Sequence, residues 1–293
     1  MKGKEFLKKN VKRNATRVRV AFFLLIWLIL SFLPCFSAFR KGLAEEERVE
    51  WTKLSSFRTY FSLKDGGRCE NIALAGKFID GVTVQAYGEF SFNQTVGART
   101  EKRGFKLAKI IANGEFVKGV GGGVCQVSTT LYNAVLKAGL EVVEFHPHSL
   151  AVGYVEPSRD AMVSSTSDLK FYNPLDFAVR LKCSVEKGCV NIAVYGSGKA
   201  SALRYEIVSL VLEEIPPPPP LERFGDREEV VQSARNGIKS ESALEIYENG
   251  VLTGRKILRK DSYAPVREII VKKNEDTTKK MPSNICLFLE KML

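Results

Sequence analysis

The run Gly119-Val120-Gly121-Gly122-Gly123-Val124-Cys125-Gln126-Val127-Ser128-Thr129-Thr130-Leu131-Tyr132 joins a glycine-rich approach to the start of a helix and puts a cysteine in its first turn. Val124, Val127, Leu131, Val135 and Ala138 recur at intervals of three and four and Gly139 follows, so the spacing predicts a helix over 124–138 with a glycine exit. Free N–H groups and the positive end of the helix dipole stabilise a thiolate at such a position, drawing the thiol pKa below its usual value of about 8.5. Cys125 is therefore a candidate nucleophile, at the margin of the apolar stripe and partly buried. The plainer alternative is a small apolar residue in a core helix, with the glycines making only a tight loop.

Histidine is scarce in this chain. The two that exist, His146 and His148, fall in Phe145-His146-Pro147-His148-Ser149, shortly downstream of Cys125. A cysteine at a helix start, a histidine on a following strand and an acid to orient it make the arrangement used in thiol-dependent acyl transfer. Asp160 and Asp168 are the downstream acids available, and His148 is preferred to His146 as general base. Gln126, or the backbone N–H groups of 121–124, are candidate oxyanion donors. A His-x-His pair can also offer two imidazoles to zinc, with Cys125 or Asp160 completing the set, but Pro147 distorts the strand and no Cys-x-x-Cys accompanies it. No Gly-Lys-Ser/Thr follows the glycines, which argues against a phosphate loop.

Outward from this centre, a helix is expected over 71–80, and strands over 82–86, 89–92, 141–145, 151–155, 169–171, 178–185 and 190–195. Lys187-Gly188 reads as the turn of a hairpin; with two residues in that turn Cys189 faces Glu186, and a Cys183–Cys189 bridge is disfavoured. Residues 216–220 are five consecutive prolines, a stiff extended spacer of roughly 15 Å. Beyond them 243–247, the turn Asn249-Gly250, 255–258 and 268–271 suggest a small β module. The fold class expected is α+β: mixed strands around one helix starting at a Cys, preceded by an N-terminal transmembrane helix and followed by the β module.

The net charge of the 293-residue chain is +11, but residues 1–19 hold eight basic side chains against one acid, so most of the excess lies in that tail and nucleic acid is not an expected partner. The twenty residues 20–39 are nearly all apolar, long enough to cross a bilayer core of about 30 Å. The positive-inside rule then predicts a single-pass membrane protein, N-terminus cytoplasmic and body extracytoplasmic. The expected organisation is a basic tail (1–19), transmembrane anchor (20–39), connector (40–56), main domain (57–212), proline-rich linker (213–221), β module (222–273) and mobile tail (274–293).

Three groups of residues carry a family resemblance: Glu89-Phe90-Ser91-Phe92-Asn93-Gln94-Thr95-Val96-Gly97; the Gly121 to Ala134 run; and His146-Pro147-His148-Ser149 with Tyr154-Val155 and Arg159-Asp160-Ala161. Together with Arg68 and Asn71-Ile72 they closely resemble VanW proteins, over about 57–196. The resemblance implies an exported or membrane-anchored envelope protein, from a family named after a vancomycin resistance cluster, whose molecular activity is not settled. Asn93, Gly121, Gly122, Gly123, Gln126, Ser128, Thr129 and Tyr132 become candidate substrate contacts, and Cys125, His148, Asp160, His146 and Asp168 candidate catalytic groups. The segment from about Glu222 to Lys272 resembles a G5 module, which implies binding to wall amino sugars. Many relatives carry a peptidoglycan-binding domain ahead of the VanW region; here only 40–56 are available, so wall binding rests on the C-terminal module. Two functions follow as expectations: a thiol-dependent hydrolase or transpeptidase of peptidoglycan peptides, or a non-catalytic peptidoglycan-binding protein. Neither calls for a cofactor.

Overall fold

A computed structural model describes residues 50–112, 115–198 and 202–273. At its centre is the helix α3 (Val124–Lys137), which follows α1 (Gly66–Ile79) and the short α2 (Phe92–Val96) in the chain. α3 is enclosed almost all round, with Val124 and every residue from Gln126 to Leu136 buried. Its polar side chains are hydrogen bonded rather than solvated, as burial requires. On one side it packs on a four-stranded antiparallel sheet in the order β1-β9-β8-β2, formed by β1 (Thr52–Tyr60), β9 (Cys189–Gly196), β8 (Val179–Glu186) and β2 (Thr83–Val84). Ser55 Oγ donates to Ala134 O at 2.6 Å and the Thr59 and Thr130 hydroxyls meet at 2.8 Å, tying β1 to the helix. Val127, Leu131 and Val135 are fully buried with Ile192, Val194 and Leu181 of the sheet, each such side chain contributing about 1.5–3 kcal/mol.

A second sheet runs β3 (Glu89–Ser91), β7 (Lys170–Tyr172), β6 (Glu141–Glu144), and β4 (Leu107–Ala112) pairs with β5 (Glu115–Val120) as a hairpin that feeds the glycine loop. The third sheet is built from long strands: β10 (Leu203–Ile215) is antiparallel to β13 (Gly237–Glu248), itself antiparallel to β14 (Val251–Tyr263). A small sheet of β11 (Leu221–Gly225), β15 (Ile269–Lys273) and β12 (Glu229–Gln232) completes the described chain. The strand entering the proline run, β10, is thus hydrogen bonded to a strand beyond it. Both tight turns read from sequence carry paired positive φ angles, Lys187 (50°) with Gly188 (75°) and Asn249 (52°) with Gly250 (84°), which match the right-handed twist of a hairpin. Glu186 faces Cys189 across the first turn, and Cys183 and Cys189 are both free thiols.

Several expectations need correction. Strands make up 47% of the structure and helices 17%, so the chain is mostly β rather than α+β with a leading transmembrane helix. The difference lies chiefly in the long strands β10, β13 and β14; in β10 and β14 exposed positions run consecutively instead of alternating, leaving little period-two signal to read. Residues 20–39 lie outside the described residues. Among the described residues no helix is long and apolar enough to cross a membrane, and the single-pass topology is not supported. The basic tail, Cys35, Cys286 and the tail after 273 are also outside them.

Smaller differences are local. The helix expected from 71 begins at Gly66, because Asp65 caps it by accepting the Arg68 N–H at 3.0 Å. The expected strand at 151–155 is an irregular loop. Phe92, expected at a strand end, opens α2.

Candidate functional site

Gly121 (φ 87°) and Gly123 (φ 105°) turn the chain from β5 into α3, and Gly123 occupies the N-cap without any side-chain cap. Close approach demands the middle glycine as well: a Cβ on Gly122 would lie 2.6 Å from Lys109 O. The turn delivers Cys125 to the wall of a cleft of about 950 Å³. The Cys125 thiol lies 3.4 Å from Val163 O, while Val163 N–H points at the sulfur from 3.5 Å.

The loop between β6 and β7 supplies the rest. Met162 N–H donates to His146 O at 2.7 Å, closing the loop on itself, and His148 is turned inward and buried. Its Nδ1 lies 2.6 Å from Asp160 Oδ2, which also accepts the His148 backbone N–H at 2.8 Å. A carboxylate partner assigns the proton to Nδ1 and leaves Nε2 unprotonated in the neutral ring, and the imidazole and the Cys125 thiol lie close enough to shift each other's titration. Cys125, His148 and Asp160 therefore form one connected row, two of whose members are almost sealed from water.

Asp160 is held from behind by the long β14 strand. Tyr263 donates its hydroxyl proton to Asp160 Oδ1 at 2.5 Å while accepting Ser158 N–H at 2.8 Å. Arg259 Nη2 reaches the same oxygen at 3.2 Å, its Nη1 donates to Asp160 O at 2.6 Å, and its Nε pairs with Asp261 at 2.5 Å. Nothing local in the sequence signals these two residues, since they lie a hundred positions downstream.

The electrostatics favour a charged pair. Burial pushes the Cys125 thiol up, but the hydrogen bond and charge of His148, the Val163 N–H and the charge of Arg99 outweigh it, and its pKa falls below the ordinary thiol value. Burial likewise opposes the imidazolium of His148, yet the bonds to Asp160 and Cys125 prevail and raise its pKa to about 9. Asp160 is lowered despite its burial, through His148 first and then Arg259 and Tyr263. Both shifts favour the thiolate–imidazolium form over the neutral pair, beside an ionised Asp160. Cys183 makes the contrast: burial alone, with the charge of Asp80, pushes it up to about 12.

The other candidates divide. His146 pairs with Glu144 at 3.1 Å and is not in the row. Asp168 accepts from Ser91 Oγ, Asn93 N–H and Leu169 N–H, and so fastens the start of α2 rather than orienting His148. Gln126 lines the cleft, but its amide donates to Thr59 Oγ1 and Tyr60 O and its Oε1 accepts from Arg68, leaving no N–H for an oxyanion. Asn93, Gly121, Gly122 and Gly123 do line the cleft. Ser128 and Thr129 are buried beneath it, bonded to the Ala161 backbone, and Tyr132 is buried beside Phe145 and Arg259. Among the described residues no three His, Cys, Asp or Glu side chains converge to hold a metal. Arg99, Arg68 and Tyr154, none expected from sequence as site residues, all line the cleft, and Tyr154 is hydrogen bonded to Thr129.

The comparisons with known proteins fall on this same region. The family model described as "VanW like protein" matches residues 67–195. The chain is 40% identical over 172 residues to "Uncharacterized protein YoaR" of Bacillus subtilis (strain 168), covering 58% of this chain and 54% of that protein. It is 26% identical over 146 residues to "Vancomycin B-type resistance protein VanW" of Enterococcus faecalis (strain ATCC 700802 / V583), covering 47% and 52%. The chain thus spans about half the length of the curated relatives it matches. Of solved structures, "Crystal structure of HP0197-G5" matches with a TM-score of 0.15 at 16% identity, covering 25% of this chain and 99% of that one. "IgA1 Protease G5 domain structure" matches with 0.18 at 19%, covering 25% and 92%. Scores this low carry no argument about the β module. The helix of Cys125, the His148 loop and Asp160 all fall within the matched stretch, and residues 67–195 make up a VanW-like domain.

Proposed function

We propose that this protein is a thiol-dependent acyl-transfer enzyme of the cell envelope, acting on the peptide part of peptidoglycan. One observation carries the reading: a Cys125–His148–Asp160 row whose thiol faces a cleft of about 950 Å³, large enough for a peptide. In this scheme the Cys125 thiolate attacks the carbonyl carbon of an amide, and the charge developing on the carbonyl oxygen meets the Cys125 backbone N–H, since those of Val124 and Gln126 are donated to Gly121 O and Gly123 O. The tetrahedral intermediate collapses, the C–N bond breaks, and the leaving amine takes the proton held by the His148 imidazolium. A thioester remains. Water, or a second amine, then gives a proton to His148 as it attacks, and the thiolate leaves, completing hydrolysis or transpeptidation. Asp160 keeps the imidazole in the required tautomer throughout.

The wall as substrate rests on the name of the Enterococcus relative, which ties that protein to vancomycin resistance. A second reading, a non-catalytic peptidoglycan-binding protein, is favoured by the engagement of every Gln126 amide proton, which deprives the site of a side-chain oxyanion donor. Mass spectrometry of purified wall fragments incubated with the protein separates the two. Catalysis predicts new peptide fragments that vanish with Cys125→Ala. Unchanged fragments, retained equally by both proteins, would leave only binding.

A further inference from the structure

The cleft carries positive charge that no carboxylate answers. Arg68, Arg99, Lys109 and Arg235 line it against one acid, Asp65, whose Oδ1 already accepts the Arg68 backbone N–H. Among the described residues the two guanidiniums nearest the glycine loop have only neutral acceptors. Arg99 Nη2 donates to Asn93 Oδ1 at 2.6 Å and its Nη1 to Ser164 O at 3.4 Å; Arg68 Nη2 donates to Gln126 Oε1 at 2.7 Å. A guanidinium has five N–H donors, so both keep donors unspent. The charges of Cys125 and then Asp168 reach Arg99, but neither bonds it: the Asp168 oxygens are filled by Ser91, Asn93 and Leu169, and Arg103 adds charge of the same sign. A half-buried cation without a carboxylate is a standing cost to the fold, removed when an anion binds.

Position gives this charge its meaning. Arg99 Cβ lies 3.0 Å from the place a Cβ on Gly121 would take, and Arg68 Cγ 3.0 Å from that of Gly123, so the two side chains flank the loop that presents the thiol. Arg99 also holds Ser164 O, one residue from the Val163 backbone that cradles the sulfur. Resting on the acyl-transfer reading above, the geometry points to a substrate peptide that bears a carboxylate within about one residue of the attacked carbonyl, gripped by Arg99 with Arg68 beside it. The planar fork of arginine matches a carboxylate through two parallel bonds. Lys109 and Arg235, each over the Phe116 ring, add positive charge to the same cleft wall.

Two measurements on the full chain test this. The first compares iodoacetate with iodoacetamide, reagents alike except for the carboxylate, by peptide-resolved mass spectrometry of Cys125. The ratio of their rates is expected to exceed that on glutathione by roughly tenfold at low salt, to fall towards the glutathione value in Arg99→Gln, and to survive largely in Arg99→Lys. A ratio equal to that on glutathione overturns the inference while leaving acyl transfer standing. The second needs no thiol: calorimetric binding of N-acetyl-alanyl-alanine and of its C-terminal amide to Cys125→Ser. The acid is expected to bind roughly tenfold more tightly. Equal affinity, or no binding of either, overturns the carboxylate site. Failure of both reagents to alkylate Cys125, with the acid still preferred, overturns the acyl-transfer reading alone.

Discussion

Replacing Asp160 by asparagine changes one oxygen for an amide nitrogen, and the structure leaves that amide nowhere to sit. Oδ2 receives two N–H groups of His148 and Oδ1 receives the Tyr263 hydroxyl and an Arg259 N–H, so the NH2 group faces two donors in either orientation. Breaking a buried ion pair in this way costs about 3–5 kcal/mol of stability. The second effect is on charge. Raising His148 from 6.5 to about 9 represents roughly 3 kcal/mol in favour of the imidazolium, with the Asp160 hydrogen bond the leading contribution against burial. If Asp160→Asn forfeits half of that, the imidazolium no longer holds the thiolate in mildly acid solution, and iodoacetamide alkylation of Cys125 at pH 6 falls roughly tenfold or more. The assay is peptide-resolved alkylation beside a urea melt, with Cys183, whose pKa is about 12, as the internal unreactive thiol. A folded Asp160→Asn protein with wild-type stability and a rate at pH 6 within twofold of wild type would refute the reasoning.

Other consequences follow from the same contacts. His148, raised in the fold, contributes stability that is complete below its unfolded value of about 6.5 and is lost as pH rises through about 9. Cys125, lowered in the fold, contributes stability present above its unfolded value and lost as pH falls through its folded one. Between the folded thiol's pKa and about 8.5 the two slopes oppose each other, so urea midpoints of the wild type should change less with pH on approaching 8.5 than those of Cys125→Ser, which decline. Tyr263→Phe leaves Ser158 N–H without its acceptor and removes a donor from buried Asp160, lowering stability by about 1–3 kcal/mol in urea melts. Gly123→Ala forces an alanine to φ 105° with its Cβ 2.9 Å from Ile72 Cγ1; thermal melts should show a loss of about 1–3 kcal/mol or more.

Much of the row was legible because its members sit close together in sequence and each advertises its chemistry: a cysteine at a helix start, scarce histidines, a nearby acid. His148 lies against Asp160 and His146 against Glu144, and Asp168 illustrates the limit. Two aspartates a few residues apart look alike in sequence, yet Asp160 faces an imidazole and Asp168 caps a helix, a distinction made only by the path of the loop between them. Gln126, Ser128, Thr129 and Tyr132 were candidate substrate contacts because they lie in the run that carries the family resemblance; enclosed almost all round, α3 spends its polar atoms on β1 and on the 159–163 backbone. Arg259 and Tyr263 were invisible for a different reason. They reach Asp160 from β14, one of the long strands whose exposed, charged faces hid them from any period-two reading.

The central claim is that the Cys125 sulfur rests as a thiolate beside a protonated His148. The ultraviolet absorbance of that thiolate, taken as the difference between wild type and Cys125→Ser and followed with pH, tests it most directly. The account predicts an apparent pKa well below the ordinary thiol value of about 8.5, rising towards it in His148→Gln. A titration at or above the ordinary value in the wild type, unmoved by His148→Gln, would contradict it.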